Sequence, residues 1–274
     1  MAEHNILTKI EGHVIQDIWM DNVEFAMKEI CFRVQQYPYI GIDTEFPGLV
    51  YPKAADLAKY KDQQLSPYAR LRMNVDRTRI IQLGLTLSDE HGNLPHTPPH
   101  TWQINFVFNI EKEEIKEDAH ALLIEAGIDF SRHATHGVDH KFFGYLLNAS
   151  NLLYNRSIKW VSFHSGFDFG YLLKVATNSK MPRNQESFLV KLRTLFNDIY
   201  DIKHLMSSTK LYHRGLQHVA DSINIKRVGE AHLAGSDSMV TLAVFLRMMQ
   251  PNIVEEYSVL ENLLDPDDNS GPFL

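Results

Sequence analysis

Residues 37–45, Tyr37-Pro38-Tyr39-Ile40-Gly41-Ile42-Asp43-Thr44-Glu45, decide how this chain is read. The apolar run from Tyr37 to Ile42 reads as a short buried strand, and Asp43-Thr44-Glu45 closes it. No other Asp-x-Glu occurs in the 274 residues. Side chains alternate along a strand, so Asp43 and Glu45 share one face, roughly 6.5–7 Å apart. A buried strand has no structural need for two carboxylates on one face. In a low dielectric they repel unless a cation lies between them. Hard oxygen ligands favour Mg²⁺ or Mn²⁺ over zinc. The pair therefore predicts a divalent-metal site at the edge of a sheet.

The segments around this strand predict an α/β fold. Upstream, Asp21-Asn22-Val23-Glu24 spells a capping box, with Asp21 as N-cap of a helix over 22–36. Downstream, Arg79 to Leu87 and Thr101 to Phe108 read as strands, with a turn at His91-Gly92-Asn93. With the Asp43 strand they form an antiparallel set. Helices are expected over 113–126 and 138–149, a strand over 159–164, and a helix over 166–177. A helix over 186–196, a strand over 198–200 and helices over 202–207, 215–223 and 236–249 follow. The prediction is one α/β domain over 1–274. Its mixed sheet has three antiparallel strands, then parallel strands, with helices on both faces. The acidic tail, about 264–274, is expected to fray.

Composition narrows the class. Apolar residues make up 44% of the chain, enough for a sizeable core. The single cysteine, Cys31, excludes an intrachain disulfide and a cysteine-rich zinc finger, and its apolar neighbours predict a buried position. The formal net charge is −7. Tight non-specific nucleic-acid binders are usually basic, so any such binding here must be local and metal-assisted. No basic-then-apolar leader opens the chain, and no apolar run approaches the ~18 residues of a membrane span. A soluble protein of a reducing compartment is expected, without a membrane partner.

Two further acidic sites follow. His164-Ser165-Gly166-Phe167-Asp168 lies where a strand passes into a helix, with Ser165 as its expected N-cap. Strand ends of this kind are frequent ligand sites, although an acid in a first helical turn also satisfies the helix dipole. His232-Leu233-Ala234-Gly235-Ser236-Asp237 contains the chain's one His-x4-Asp and opens the last strong helix, with Ser236 as expected cap. Alone, each site is weak; their order along the chain is not. His133, His136 and His140 also cluster, but Gly137 interrupts them, and a solvated loop is expected there rather than a zinc site.

A strand Asp-x-Glu, a strand–helix Asp and a late His-x4-Asp resemble, in that order, the DEDD exonucleases of RNase H-like fold. The match is to the branch with a catalytic histidine, because the tyrosine branch would need Tyr where this chain has Leu233. The wording is narrower still. Asp43-Thr44-Glu45-Phe46-Pro47-Gly48, Arg79-Ile80-Ile81-Gln82-Leu83-Gly84 and Tyr200-Asp201-Ile202-Lys203 are similar to the CAF/POP-type deadenylases. So are Ser162 through Leu172 and Ala234-Gly235-Ser236-Asp237-Ser238. The resemblance covers about residues 12–250. His213-Arg214-Gly215-Leu216-Gln217 departs from the family's Lys-Gly-Gly-Leu-Gln.

The resemblance implies 3′→5′ removal of adenylates from poly(A) RNA, releasing 5′-AMP, with two divalent cations, Mg²⁺ or Mn²⁺. By the same resemblance Asp43 would bridge both cations. Glu45 and Asp237 would complete the site of the attacking water, Asp168 the site near the leaving oxygen, and His232 would be general base. Phe46, His164 and Leu216 are candidate substrate contacts. Phe46 also reads as a turn aromatic packing beneath the sheet, and Leu216 as part of a core stripe with Val219, Ala220 and Ile223. His164 reads either as orienting Asp168 or as a buried structural histidine. Implied partners are single-stranded poly(A) RNA, a NOT-type scaffold protein, a second deadenylase subunit and regulatory adaptor proteins, in the cytoplasm and also the nucleus. Two alternatives stay open: a DEDDh exonuclease of other RNA or DNA ends, and a non-catalytic scaffold.

Overall fold

In the computed structural model, which describes residues 12–52 and 65–250, the strand that carries Asp43 runs to Glu45, so both carboxylates lie within it. This β2 (Tyr39–Glu45) pairs antiparallel with β3 (Gln82–Ser88), which pairs antiparallel with β4 (Thr101–Asn105). On its other side β2 pairs parallel with β5 (Lys159–Ser162), and β5 with β6 (Asp198–Asp201). The expected three antiparallel strands followed by parallel ones are all present. Sequence reading missed β1 (Ile15–Ile18), an edge strand parallel to β4. It is four residues long and includes Gln16 and Asp17, too short and polar for a clear alternation. The full order is β1-β4-β3-β2-β5-β6.

Helices cover both faces. One face carries α1 (Val23–Arg33), α2 (Pro67–Arg77), α5 (His140–Ala149) and α6 (Gly166–Thr177), packed over Ile40, Ile42 and Trp160. The other face carries α10 (Ala234–Met248), which lies across β2, β3, β4 and β5. Every residue of α10 from Ala234 to Leu246 is buried, as expected of a helix that is apolar or small on all sides. Its close approach requires glycine beneath it. A Cβ on Gly84 would lie 1.9 Å from the Ala234 carbonyl oxygen, and one on Gly41 2.5 Å from that of Ser238. Between these elements run α3 (Glu117–Glu125), α4 (Phe130–His136), α7 (Gln185–Phe196), the short α8 (Ile202–Leu205) and α9 (Leu216–Ser222).

Several local expectations fail for tertiary reasons. The capping box at Asp21 does not form: Asn22 takes the N-cap position of α1, and its side chain instead accepts from the Trp19 N–H. Residues 130–136 are helical, not loop, with Asp129 as cap and Gly137 just past the end. That glycine admits the Val107 backbone, which a Cβ would meet at 2.3 Å. His133, His136 and His140 bond separately, to the Phe106 carbonyl, Thr135 and the Ile80 carbonyl, so they form no common site. Cys31 is half-buried against the core rather than within it. The acidic tail lies outside the described residues.

Candidate active site

Asp43 and Glu45 leave β2 on the α10 face, two residues and four residues after Gly41. Asp237 enters the same space from the first turn of α10, and Asp168 from the first turn of α6 on the opposite face. The site is thus the end of β2, where helices from both faces meet. Asp168 and Asp237 are buried, Asp43 and Glu45 partly so.

Asp168 and Asp237 are each held from outside their own helices. The Thr44 hydroxyl donates to Asp168 Oδ1 at 2.5 Å. The loop before α6 is fixed by Asp201 at the end of β6, which accepts from the N–H groups of His164, Ser165 and Lys203 and from the Ser165 hydroxyl, each at 2.9 Å. Ser165 stands at the N-cap position but donates to Asp201 instead of capping. Ser236 likewise lies inside α10, donating to the Val228 carbonyl. The N-terminus of α10 is capped by the sheet: Ala234 N–H donates to Gln82 Oε1 at 3.3 Å and Gly235 N–H to Gln103 Oε1 at 3.0 Å. Asp17 of β1 steadies this layer by accepting from Gln103 and Asn105. The overlooked strand β1 therefore braces the layer that caps the start of α10.

His232 is exposed and sits beside Glu45 and Asp237, with one ligating atom from each of the three within 4.8 Å of the others. Its backbone is left-handed, φ 64°, and its N–H donates to Asp237 Oδ2 at 2.9 Å. His164 is also left-handed, φ 62°. Non-glycine residues in that region cluster at functional sites. His164 is exposed, which removes the buried-structural expectation, and among the described residues its ring makes no bond to Asp168. Thr44 and Asp201 do that orienting. Phe46 is half-buried, stacked on Phe167 with centroids 5.2 Å apart and tilted against Tyr171. Leu216 is half-buried against the α10 cluster. The five expected catalytic groups come together; Phe46 follows Glu45 and stacks on Phe167, and Leu216 packs one side on the α10 cluster.

The electrostatics fit a multivalent cation. Burial pushes Asp43 well above the usual carboxylate range, and the charges of Asp168, Asp237 and Glu45 push it further. Glu45 is raised for the same reasons, burial first, then Asp237 and Asp168. Burial raises Asp168 to about 7 against the Thr44 hydrogen bond. Four crowded carboxylates offering hard oxygens suit two divalent cations. Arg227, which sequence reading missed, acts against this repulsion: its guanidinium bonds Asp237 Oδ1 at 2.5 Å and lowers Asp43 and Glu45. It sits in Lys226-Arg227-Val228-Gly229-Glu230, whose spelling reads as an ordinary charged loop.

Comparison with known proteins fits this geometry. Residues 18–142 match the CAF1 family ribonuclease model. The probable CCR4-associated factor 1 homolog 7 of Arabidopsis thaliana is 39% identical over 263 residues, spanning 93% of this chain and 94% of that protein. The chain belongs to the CAF1 family of ribonucleases. The poly(A) ribonuclease pop2 of Schizosaccharomyces pombe is 40% identical, over 85% of this chain and 69% of its own length. The solved structure of S. pombe Pop2p with Mg²⁺ and Mn²⁺ bound superimposes with a TM-score of 0.79 at 39% identity, covering 85% of this chain and 91% of that one. Yeast CAF1, crystallised with the NOT1 MIF4G domain, superimposes at 0.73 with 29% identity, covering 90% of each chain. Exonuclease I, at 14% identity and a TM-score of 0.53 over 80% of this chain and 42% of its own, shares the fold alone. The CAF1-family chain thus has the RNase H-like fold of the DEDD exonucleases and is a ribonuclease.

Proposed function

We propose that this CAF1-family chain is a 3′→5′ exoribonuclease that shortens poly(A) tails and releases 5′-AMP, as the catalytic subunit of a CCR–NOT-like complex. The observation that carries the chemistry is the convergence of Asp43, Glu45, Asp168 and Asp237 beside His232 at one sheet end. Adenine preference rests on likeness to pop2, which is named a poly(A) ribonuclease.

Asp43, Glu45, Asp168 and Asp237 are the residues that would hold the cations. Two bound divalent cations supply an activated water and neutralise the developing charge on the leaving oxygen. The chain supplies the orientation. Thr44 and Asp201 fix Asp168, and Gln82 and Gln103 fix the helix that bears Asp237. His232, exposed and within reach of the Glu45 and Asp237 oxygens, takes the proton of the attacking water at a ring nitrogen. Phe46 and Leu216 present their free sides to the terminal bases, since single strands are commonly held by stacking. The NOT1 complex of yeast CAF1 supports a NOT-type scaffold as partner here. A second deadenylase subunit and regulatory adaptors are further partners that the proposed reading implies.

The test is a gel assay on 5′-labelled RNA ending in adenines, with Mg²⁺ or Mn²⁺, against EDTA and Asp43→Asn. A ladder that recedes from the 3′ end and slows at the first non-adenine is expected. Asp43→Asn should lower the rate by about a thousandfold or more, since metal charge stabilisation is worth several kcal/mol. Equal degradation of mixed-sequence tails would leave an exonuclease without the adenine preference. A folded chain that shortens nothing with either metal would count against catalysis by the isolated chain.

A further inference from the structure

Arg227 bonds in three directions. Its Nη1 donates to Asp237 Oδ1 at 2.5 Å and to Ser236 Oγ at 2.9 Å. Its Nε donates to Gln217 Oε1 at 2.7 Å. Gln217 lies in the first turn of α9, next to Leu216, and its amide donates to Asp221. The guanidinium and the Asp237 carboxylate are both nearly buried, their side chains 12% and 11% exposed. Asp237 is gripped on both oxygens, by Arg227 at Oδ1 and by the His232 N–H at Oδ2. The Arg227 charge also offsets the carboxylates of both Asp43 and Glu45.

We propose that Arg227 is the charge-balancing and positioning residue of the metal centre. It holds Asp237 in its ligating rotamer, ties that carboxylate to the base-facing turn of α9, and offsets the four carboxylates until divalent cations bind. The proposal rests on the two-cation reading of the site.

Its consequence is a pair of effects with opposite signs. A guanidinium has no lone pair with which to ligate a metal and does not deprotonate in proteins. It therefore stays positive beside an entering cation and weakens its binding. The same group keeps Asp237 oriented, and losing such a partner commonly costs about 10–100-fold in metal affinity or activity. Because the amide of Arg227→Gln can still donate to Asp237 while carrying no charge, the cost is expected in turnover and the lost repulsion in affinity. Removing the charge should tighten the metal and slow the chemistry together. A brace that merely holds the loop would do neither in that combination.

The experiment is calorimetric titration of the full chain with Mn²⁺ alone, with thermal unfolding in EDTA and in saturating Mn²⁺, for wild type, Arg227→Gln and Arg227→Lys. Arg227→Gln should melt lower than wild type in EDTA, regain most of that loss in Mn²⁺, and bind Mn²⁺ about tenfold more tightly, because a cation preferring the folded variant must stabilise it by mass action. Turnover at saturating metal should fall about tenfold. Arg227→Lys, which keeps the charge without the fork, should bind Mn²⁺ within about twofold of wild type while still turning over slowly. Recovery of folded Arg227→Gln only with Mn²⁺ present would support the assignment in the same way. An equal loss of stability in EDTA and Mn²⁺, unchanged Mn²⁺ affinity, or failure to fold under both conditions would make Arg227 a plain structural brace and overturn it. If the wild-type chain takes up no Mn²⁺, the metal-centre reading itself fails first, and this inference with it.

Discussion

Asp43 shows how much a single side chain is made to bear by its neighbours. Its carboxyl is raised well above the ordinary range by burial, then by Asp168, Asp237 and Glu45. For an acid whose folded value exceeds its unfolded one, stability is complete below the unfolded value and is lost as pH rises toward the folded one. Each unit of elevation is worth about 1.4 kcal/mol. Asp43→Asn cannot ionise and escapes that loss. In EDTA near pH 7.5 the variant should therefore be more stable than wild type by at least about 1 kcal/mol, and near pH 4 the gain should vanish. Denaturant unfolding at the two pH values measures it. An equal effect at both would mean the carboxylates are not crowded. The spacing Asp-x-Glu already predicted this tension, because two acids on one buried strand face have no other reason to be there. The counter-cation was not legible, since Arg227 reaches Asp237 only through the fold.

At the scale of elements, α10 makes the site with the sheet beneath it, and its close approach hangs on two glycines, Gly41 of β2 and Gly84 of β3. Gly84 leaves no room for a Cβ against the Ala234 carbonyl, a backbone atom that cannot rotate away. Gly84→Ala should cost about 3 kcal/mol, the upper end of overpacking. It should also weaken Mn²⁺ binding, because lifting the start of α10 displaces Asp237. Chemical denaturation and metal titration check the two halves, and a stable variant with unchanged metal affinity would show that α10 can slide without moving the site. Helices α1, α6, α7 and α10 and strands β2 to β6 were all readable from hydrophobic spacing. The caps were not. Ser165 and Ser236 both suit an N-cap by residue type, yet both turn to other partners, and the first turn of α10 is satisfied by Gln82 and Gln103 from strands more than a hundred residues earlier. A short polar edge strand, β1, was invisible until its register against β4 supplied Asp17 to that layer.

Stability of the whole molecule also answers to pH through half-buried histidines that belong to no part of the carboxylate cluster. His13 is held down to about 4 by burial and by the charge of His100, and His140 to about 4 chiefly by burial. Groups with depressed folded values lend full stability above their unfolded value, near 6.5, and lose it as pH falls from there toward 4. His140 Nε2 pairs with the Ile80 carbonyl, while buried Nδ1 has no partner. His140→Gln keeps a donor for that carbonyl and has no charge to acquire. Its unfolding midpoint should therefore fall less steeply than that of wild type between pH 6.5 and 4. Parallel curves would place the acid sensitivity elsewhere.

The sequence alone marked out the acidic pair of β2 and predicted three antiparallel strands followed by parallel ones, but not the edge strand β1 or the order β1-β4-β3-β2-β5-β6. Charge type and side-chain alternation are local properties and singled out Asp43 and Glu45, whereas Asp168, His232 and Asp237 gained weight only from their order along the chain and its family resemblance. Only the tertiary structure decided how those groups are held. Thr44, Asp201, Gln82, Gln103 and Asp17 act across 36 to 152 residues of chain, and Arg227 across ten, through hydrogen bonds whose partners are set by strand register and helix packing. A hydrogen bond acts over about 3 Å of space, whatever the separation in sequence. The spelling around one partner therefore carries no mark of the other.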